Sequence, residues 1–194
     1  AVEIGLAVLS ALAEAHALGV IHRAIKPANV LVIEQGGARG IKLGGFGIAK
    51  VVRESADGPT PLAMPTALGE ALGTPRYLSP EMVLGQPLDG RSDVYQVGLL
   101  LFELVTGRSP FTARTPPAWM QAHTTTAPEI LEHAVTARGA APLATEERAL
   151  VGKLSPVVAR ALRKRPAERW PSAAALAEAL EACLPRERPA PQPA

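Results

Sequence analysis

Residues 97–105 read VGLLLFELV, an apolar run interrupted only by Glu103. Apolar side chains fall on every side of a helix built from this stretch, so the helix has to be surrounded by other elements. The run is about half the ~20 residues needed to cross a bilayer, so its burial is within protein. Ser92-Asp93 supplies an N-cap and Gly107 a stop, which predicts a helix over 93–106.

The remaining segments supply that surrounding structure. Ile4, Val8, Leu12, Ala15 and Leu18 share one face at helical spacing, predicting a helix over 2–18 that ends at Gly19. Those first residues lack a basic start and carry Glu3 and Glu14, which argues against a signal peptide. The apolar run 30–33, the turn residues Gln35-Gly36-Gly37 and then Ile41–Leu43 predict a small hairpin. Residues 53–80 hold Pro59, Pro61, Pro65, Pro75 and Pro80 and read as one long loop, a feature that in compact domains is usually functional. Two further helices are expected over 147–164 and 172–183, separated at Pro166 and Pro171, with Pro156 beginning a second segment inside the first. The last residues, PRERPAPQPA, read as a Pro-rich disordered tail or linker. The expected fold is therefore mainly α with one small β-hairpin, and no internal repeat is visible. A net charge of +2 argues against nucleic acid or an anionic membrane as the partner. The single cysteine, Cys183, excludes an internal disulfide and is expected to be a small apolar residue on a helix face.

Two motifs carry the chemistry. Residues 22–29 read HRAIKPAN, and residues 41–49 read IKLGGFGIA. Together with GTPRYLSPE at 73–81 and RPAERW at 165–170, they resemble the ordered motifs of the eukaryotic-type protein kinases. The order of elements is similar to the C-terminal lobe of such a kinase, nearest to bacterial Ser/Thr kinases. The resemblance covers residues 1–183, an incomplete kinase domain, and leaves 184–194 as the tail. No glycine-rich loop, strand lysine or paired helix glutamate precedes the first helix, so the N-lobe is expected to be absent from this chain. That leaves an apolar upper face near Val20, Leu31 and Phe46, of the kind that marks an interface. Whether such a lobe lies upstream in the full protein stays open.

The resemblance also implies roles. The family's catalytic loop runs His-Arg-Asp, and Ala24 stands where that base belongs. Its metal-binding motif runs Asp-Phe-Gly, and Gly45 stands before Phe46 and Gly47 in place of the Mg²⁺ ligand. A methyl group cannot accept the substrate proton, and glycine offers no side-chain oxygen to a hard cation. Lys26 would lie near the transferred phosphate, Asn29 would make the second metal contact, and Thr74 would bond the base. With Ala24 present, Lys26 and Thr74 are expected to make local loop hydrogen bonds instead. Glu34, Glu54 and Asp57 are the nearby carboxylates, and nothing in their spacing aims them at the site. Packing residues are retained: His22 stacked with Phe46, Glu81 paired with Arg169, Asp93 capping its helix and holding the His22–Arg23 turn, and Tyr95 and Trp170 in the core. Arg23 would bind a phosphate on the loop, where Ser55, Thr60 and Thr66 are the acceptors available.

The resulting expectation is a catalytically inactive, pseudokinase-like C-lobe acting in protein interaction or signalling regulation, in the cytoplasm. No cofactor is expected. The alternatives are part of a divergent Ser/Thr kinase using Mg-ATP, or a degenerate fragment. Partners would be proteins, docking through the upper face or through Trp119 and Met120 in PPAWMQAH (116–123). The basic cluster Arg160, Arg163, Lys164, Arg165 and Arg169 is expected to be mostly a solvated face with one structural bridge, not a nucleic-acid site.

Overall fold

The structure, a computed structural model, describes residues 1–35, 38–46, 75–136 and 143–185. In chain order its elements are α1 (Val2–Ala17), β1 (Val30–Gln35), β2 (Ala38–Leu43), α2 (Pro80–Val83), α3 (Gly90–Thr106), α4 (Pro116–Thr124), α5 (Leu131–Thr136), α6 (Thr145–Ala161) and α7 (Ala173–Glu181). Short 3-10 turns at Pro27–Asn29, Pro75–Tyr77 and Pro166–Glu168 join them. The hairpin turn at Gly36-Gly37, the loop residues Gly47, Glu54, Ser55, Asp57, Thr60, Thr66 and Thr74, and the tail from residue 186 lie outside the described residues.

The all-round apolar helix is α3, and it forms the centre. Val94, Tyr95, Val97, Leu99, Leu100, Leu101 and Phe102 are all buried. α1, α5, α6 and α7 pack around it. It starts a turn earlier than the sequence predicts. Asp89 is the N-cap, accepting from the Arg91 N–H at 2.8 Å, so neither Ser92 nor Asp93 caps this helix. Asp89 is itself a strong capping residue, and this frees the Asp93 carboxylate to serve another element. The helix ends at Gly107, where φ is +72° and the left-handed C-cap suits glycine.

α1 buries Val8, Leu9 and Leu12 against α3 and α7. Gly5 lets the helices approach, since a Cβ there would stand 2.7 Å from Leu101 Cδ2. α6 runs unbroken through Pro156 and does not restart there. Proline removes one helical hydrogen bond and crowds the preceding turn. Here Val151, Leu154, Val157 and Val158 bury one continuous face on both sides of it, which holds the helix together. β1 and β2 pair antiparallel from Val30↔Leu43 to Gln35↔Ala38, a longer hairpin than the apolar runs alone indicate. β2 lies against α1, which sets the hairpin beside the 22–29 loop. Leu31, Val32 and Val20 remain between 43% and 52% exposed. Trp170 is only partly buried. Its Nε1 donates to the Val157 carbonyl at 3.1 Å, and Arg160 lies over its ring at 4.0 Å.

Candidate functional site

The 22–29 loop is held in place by two side chains from one face of α3. Asp93 and Gln96 are three residues apart, so both project the same way. Asp93 is fully buried. It accepts from the backbone N–H groups of His22 and Arg23 at 2.8 Å each, and its Oδ2 lies 2.8 Å from His16 Nε2 on α1. Gln96 accepts from the Ile25 N–H at 3.1 Å and donates to the carbonyls of Arg23 (3.2 Å) and Tyr77 (2.7 Å). One amide thus links the loop to the 75–77 turn. Arg23 has φ +65°, an unfavourable value for a residue with a Cβ, and it persists because bonds on both sides over-determine it. Sequence reasoning missed His16 and Gln96. The available signal was a lone polar residue inside the apolar surface of α3.

Around that scaffold the motif residues converge. His22 is buried, accepts from the Ala24 N–H at Nδ1 (3.2 Å) and donates from Nε2 to the Gly44 carbonyl (2.9 Å). Burial outweighs the Gly44 bond and the nearby Asp93 charge, and lowers its pKa below the usual histidine value. Its ring meets the edge of Phe46 with centroids 4.4 Å apart. Asn29 donates from Nδ2 to the Ala24 carbonyl at 2.7 Å. Gly45 lies directly against that amide, with φ +89°. A Cβ at residue 45 would stand 2.7 Å from Asn29 Nδ2 and 3.2 Å from Oδ1. The Asn29 amide therefore fills the space where a longer side chain at 45 would begin.

These donors do not fit a metal that bridges nucleotide phosphates. Magnesium requires several oxygen ligands. Ala24 and Gly45 supply no side-chain oxygen, which leaves the Asn29 Oδ1 as the one side-chain oxygen these three positions offer. Among the described residues no group of three or more His, Cys, Asp or Glu could hold a metal ion. Lys26 makes no side-chain hydrogen bond or ion pair with another described residue. Its side chain faces a cleft.

That cleft lies between the loop and the 75–77 turn. It has a volume of about 330 Å³ and is lined by Lys26, Pro27, Ala28, Arg76, Tyr77 and Glu103. Glu103 is occupied on both oxygens, by Arg76 at 2.9 Å and by the Tyr77 hydroxyl at 2.6 Å. Burial, then that bond, raises the Tyr77 pKa above the phenolic range.

The far end of the 75–83 segment is fastened to the helical core. Glu81 and Arg169 make two parallel bonds of 2.7 Å, both side chains buried. Burial alone would raise the Glu81 pKa, but the Arg169 bonds overcome this and hold it below the usual carboxylate value. His123 on α4 secures the near end. Its Nε2 faces the Pro75 carbonyl at 3.0 Å, so Nε2 carries the proton and Nδ1 accepts from the Tyr95 hydroxyl at 3.1 Å. Trp119 stacks on the same ring at 6.0 Å and is partly buried in its own domain, with Met120 beside it. Of the basic cluster, Arg169 is buried, Arg160 covers Trp170, and Lys164 donates to the Ala122 carbonyl at 2.8 Å and lies over the Phe111 ring. Burial and the neighbouring Arg169 charge lower the Lys164 pKa to about 8. The cluster is thus more engaged than a solvated face with one bridge.

A pH dependence follows from His123. Burial, then the Lys164 charge, pulls its pKa from 6.5 to about 4. The unfolded chain binds this proton more readily, so the stability His123 contributes is complete above about pH 6.5 and is lost as pH falls towards 4. Urea denaturation at pH 7 and pH 5 should differ by ~2 kcal/mol from this group alone. His123→Gln should reduce that difference by about the same amount. An unchanged difference in the variant would assign the acid sensitivity elsewhere.

The geometry defines a protein-kinase-type C-lobe scaffold, and comparison with known proteins places it in a family. The protein kinase domain model matches residues 1–180. The chain belongs to the protein kinase family, among the bacterial members of eukaryotic type. It is 43% identical over 178 residues to the serine/threonine-protein kinase PksC of Streptomyces coelicolor, covering 91% of this chain and 28% of that protein. It is 36% identical to the serine/threonine-protein kinase Pkn1 of Myxococcus xanthus, covering 91% of this chain and 23% of that protein. The chain therefore spans about a quarter of the length of these relatives. Its fold matches the crystal structure of the Mycobacterium tuberculosis PknI kinase domain with TM-score 0.60 at 24% identity, over 94% of this chain and 54% of that domain. No helix among the described residues is long and apolar enough to cross a membrane.

Proposed function

We propose that this chain is a non-catalytic protein-kinase-fold C-lobe that acts by binding other proteins in signalling regulation. The observation that carries the reading is at Gly45. The metal-ligand position has no side chain, and the Asn29 amide occupies the space beside it, so the loss is built into the packing of the loop. Ala24 removes the proton acceptor as well. Acid–base assistance is worth ~10²–10⁴ in rate, and charge neutralisation by the metal is a still larger contribution to phosphoryl transfer. Lys26, Asn29 and Thr74 are then survivors of a catalytic set and no longer catalytic groups. Arg23 is retained as the residue that would read a phosphate on Ser55, Thr60 or Thr66.

The second reading is part of a divergent Ser/Thr kinase that transfers the ATP γ-phosphate to protein Ser or Thr. The 43% identity to PksC over nearly the whole chain favours it. A titration with Mg-ATP, read by thermal unfolding and by phosphate transfer to a protein substrate, separates the two. We expect no magnesium-dependent stabilisation of the native chain. A ligand specific to the folded state would add ~2.7 kcal/mol at a hundredfold excess over Kd. Such a rise, accompanied by transfer, would establish the kinase and sink the non-catalytic reading. The Ala24→Asp/Gly45→Asp variant is the companion sample. It should be less stable than the native chain, because Asn29 must leave its bond to Ala24 before an aspartate fits at 45.

A further inference from the structure

Lys164 lies just beyond the end of α6, in surroundings that do not favour an ammonium group. Its Nζ donates to the Ala122 carbonyl at 2.8 Å, which ties the last turn of α4 to the segment after α6. The Phe111 ring covers it with the centroid 4.3 Å away, and the Tyr95 ring lies at 6.0 Å. The His123 ring meets both of these rings edge-on. No carboxylate pairs with Lys164 among the described residues. The charged group beside it is the Arg169 guanidinium, a second cation, which lies over the same Tyr95 ring at 4.8 Å. A half-buried amine without a counter-charge favours its neutral form, and burial followed by the Arg169 charge brings the pKa down to about 8. The neutral amine can keep its bond to the Ala122 carbonyl and still leave its lone pair unused.

We propose that Lys164 is a modification site, an amine that takes an acyl group from an acyl phosphate, and that acylation releases the last turn of α4. The Nζ lone pair forms a bond to the acyl carbon, and the bond from that carbon to the phosphate oxygen breaks. Inorganic phosphate leaves with the electron pair, and the nitrogen gives one proton to solvent. Arg163 and Arg165 flank Lys164 and are exposed, which suits a donor whose leaving group is an anion. The product carries no charge, so its attraction to the aromatic face is lost. Its nitrogen keeps one N–H and gains a group that the Phe111 ring crowds, which weakens the tie to the Ala122 carbonyl. α4 carries Trp119 and Met120, the pair that the sequence marks for docking, so the modification acts on that face. The chemistry at Lys164 does not depend on the non-catalytic reading of the 22–29 loop.

The test incubates the full chain with acetyl phosphate at pH 8, near the Lys164 pKa, and follows each lysine by peptide mass spectrometry. In the folded chain Lys164 should acetylate ~3-fold or more faster than the exposed Lys42 and Lys153, because a desolvated amine beside another cation is the activated nucleophile. In denaturing urea the three rates should converge. Reaction of Lys164 no faster than Lys153 in the folded chain overturns the site. The release of α4 has its own readouts. Lys164→Gln carries the loss of charge without reagent, and Lys164→Arg keeps the charge. Amides of residues 122–126 should exchange faster in the acetylated chain and in Lys164→Gln than in Lys164→Arg, relative to those in the centre of α3. The His123 titration midpoint should move up in the same two samples, because the Lys164 charge helps to hold it low. If Lys164→Gln does not fold, the acetylated native chain carries both readouts. Native-like exchange and an unmoved His123 midpoint in that chain overturn the release of α4. Either result of the Mg-ATP experiment leaves these outcomes unchanged.

Discussion

Arg169→Ala should destabilise the protein by ~3–5 kcal/mol, the cost of leaving one member of a buried ion pair alone. The guanidinium is fully enclosed, and every arm of it is used. Beyond its two bonds to Glu81, Nε donates to the Arg163 carbonyl (2.7 Å), while the terminal nitrogens donate to the carbonyls of Lys164 (2.9 Å) and Arg91 (2.8 Å). Truncation leaves an uncompensated carboxylate and three carbonyls without this donor. Arg169→Lys should restore little, because a single ammonium with three donors cannot span that fork. Urea denaturation of both variants measures the cost. A loss below ~1 kcal/mol for either would show that water replaces the guanidinium at low cost.

The partner substitution separates charge from geometry. Replacing an isolated buried ion pair by apolar residues is often neutral. Here the Glu81→Met/Arg169→Met double variant should still be less stable than the native chain, because the Arg163 and Lys164 carbonyls lose this donor and each orphaned group costs ~1–3 kcal/mol. Equality of the double variant with the native chain would confine the role of Arg169 to its charge. Acid acts in the same direction as the single variants. The Glu81 pKa lies below its usual value, so the stability of this pair is present above that value and lost as pH falls through the folded pKa.

The helical framework was legible because its signals are local. The apolar run of α3, the spacing of α1 and the glycine stops need only near neighbours to be interpreted. What was hidden depended on distant contacts. Asp93 reads as an N-cap from the sequence, since an acidic residue before an apolar run usually is one. The neighbouring Asp89 takes that duty, and Asp93 turns to a loop 71 residues earlier in the chain. Pro156 reads as a break, but the buried face on both sides of it keeps α6 continuous. The motifs marked Ala24 and Gly45 as positions without their carboxylates. They did not show that Asn29 fills the space beside Gly45, which is a matter of tenths of an ångström. Nor could charge counting find the cleft, because pairing Glu103 with both Arg76 and Tyr77 requires α3 and the 75–77 turn to meet.

Asp93→Ala should cost ~2–4 kcal/mol, and its effect should concentrate in the 22–29 loop. Two backbone N–H groups lose a charged acceptor at 2.8 Å, and His16 loses the contact that joins α1 to α3. The Arg23 conformation at φ +65° then loses the acceptor on its N–H and keeps the carbonyl bond to Gln96. Released, it should relax towards the ordinary helical or extended regions, displacing Ala24, the Asn29 bond and the Lys26 wall of the cleft with it. Asp93→Asn tests whether shape suffices. Its single carbonyl can accept one of the two N–H groups, and its NH₂ would face the other donor. It should therefore remain well short of native stability. Amide exchange provides the local readout: His22 and Arg23 should exchange faster in both variants, while amides in the centre of α3 change only as much as global stability falls. Native-like exchange at His22 and Arg23 in Asp93→Asn would show that the loop holds its own conformation and that Asp93 merely accompanies it. His16→Ala separates the third contact. It removes one partly exposed bond and leaves both backbone donors satisfied, so its cost should be the smallest of the set.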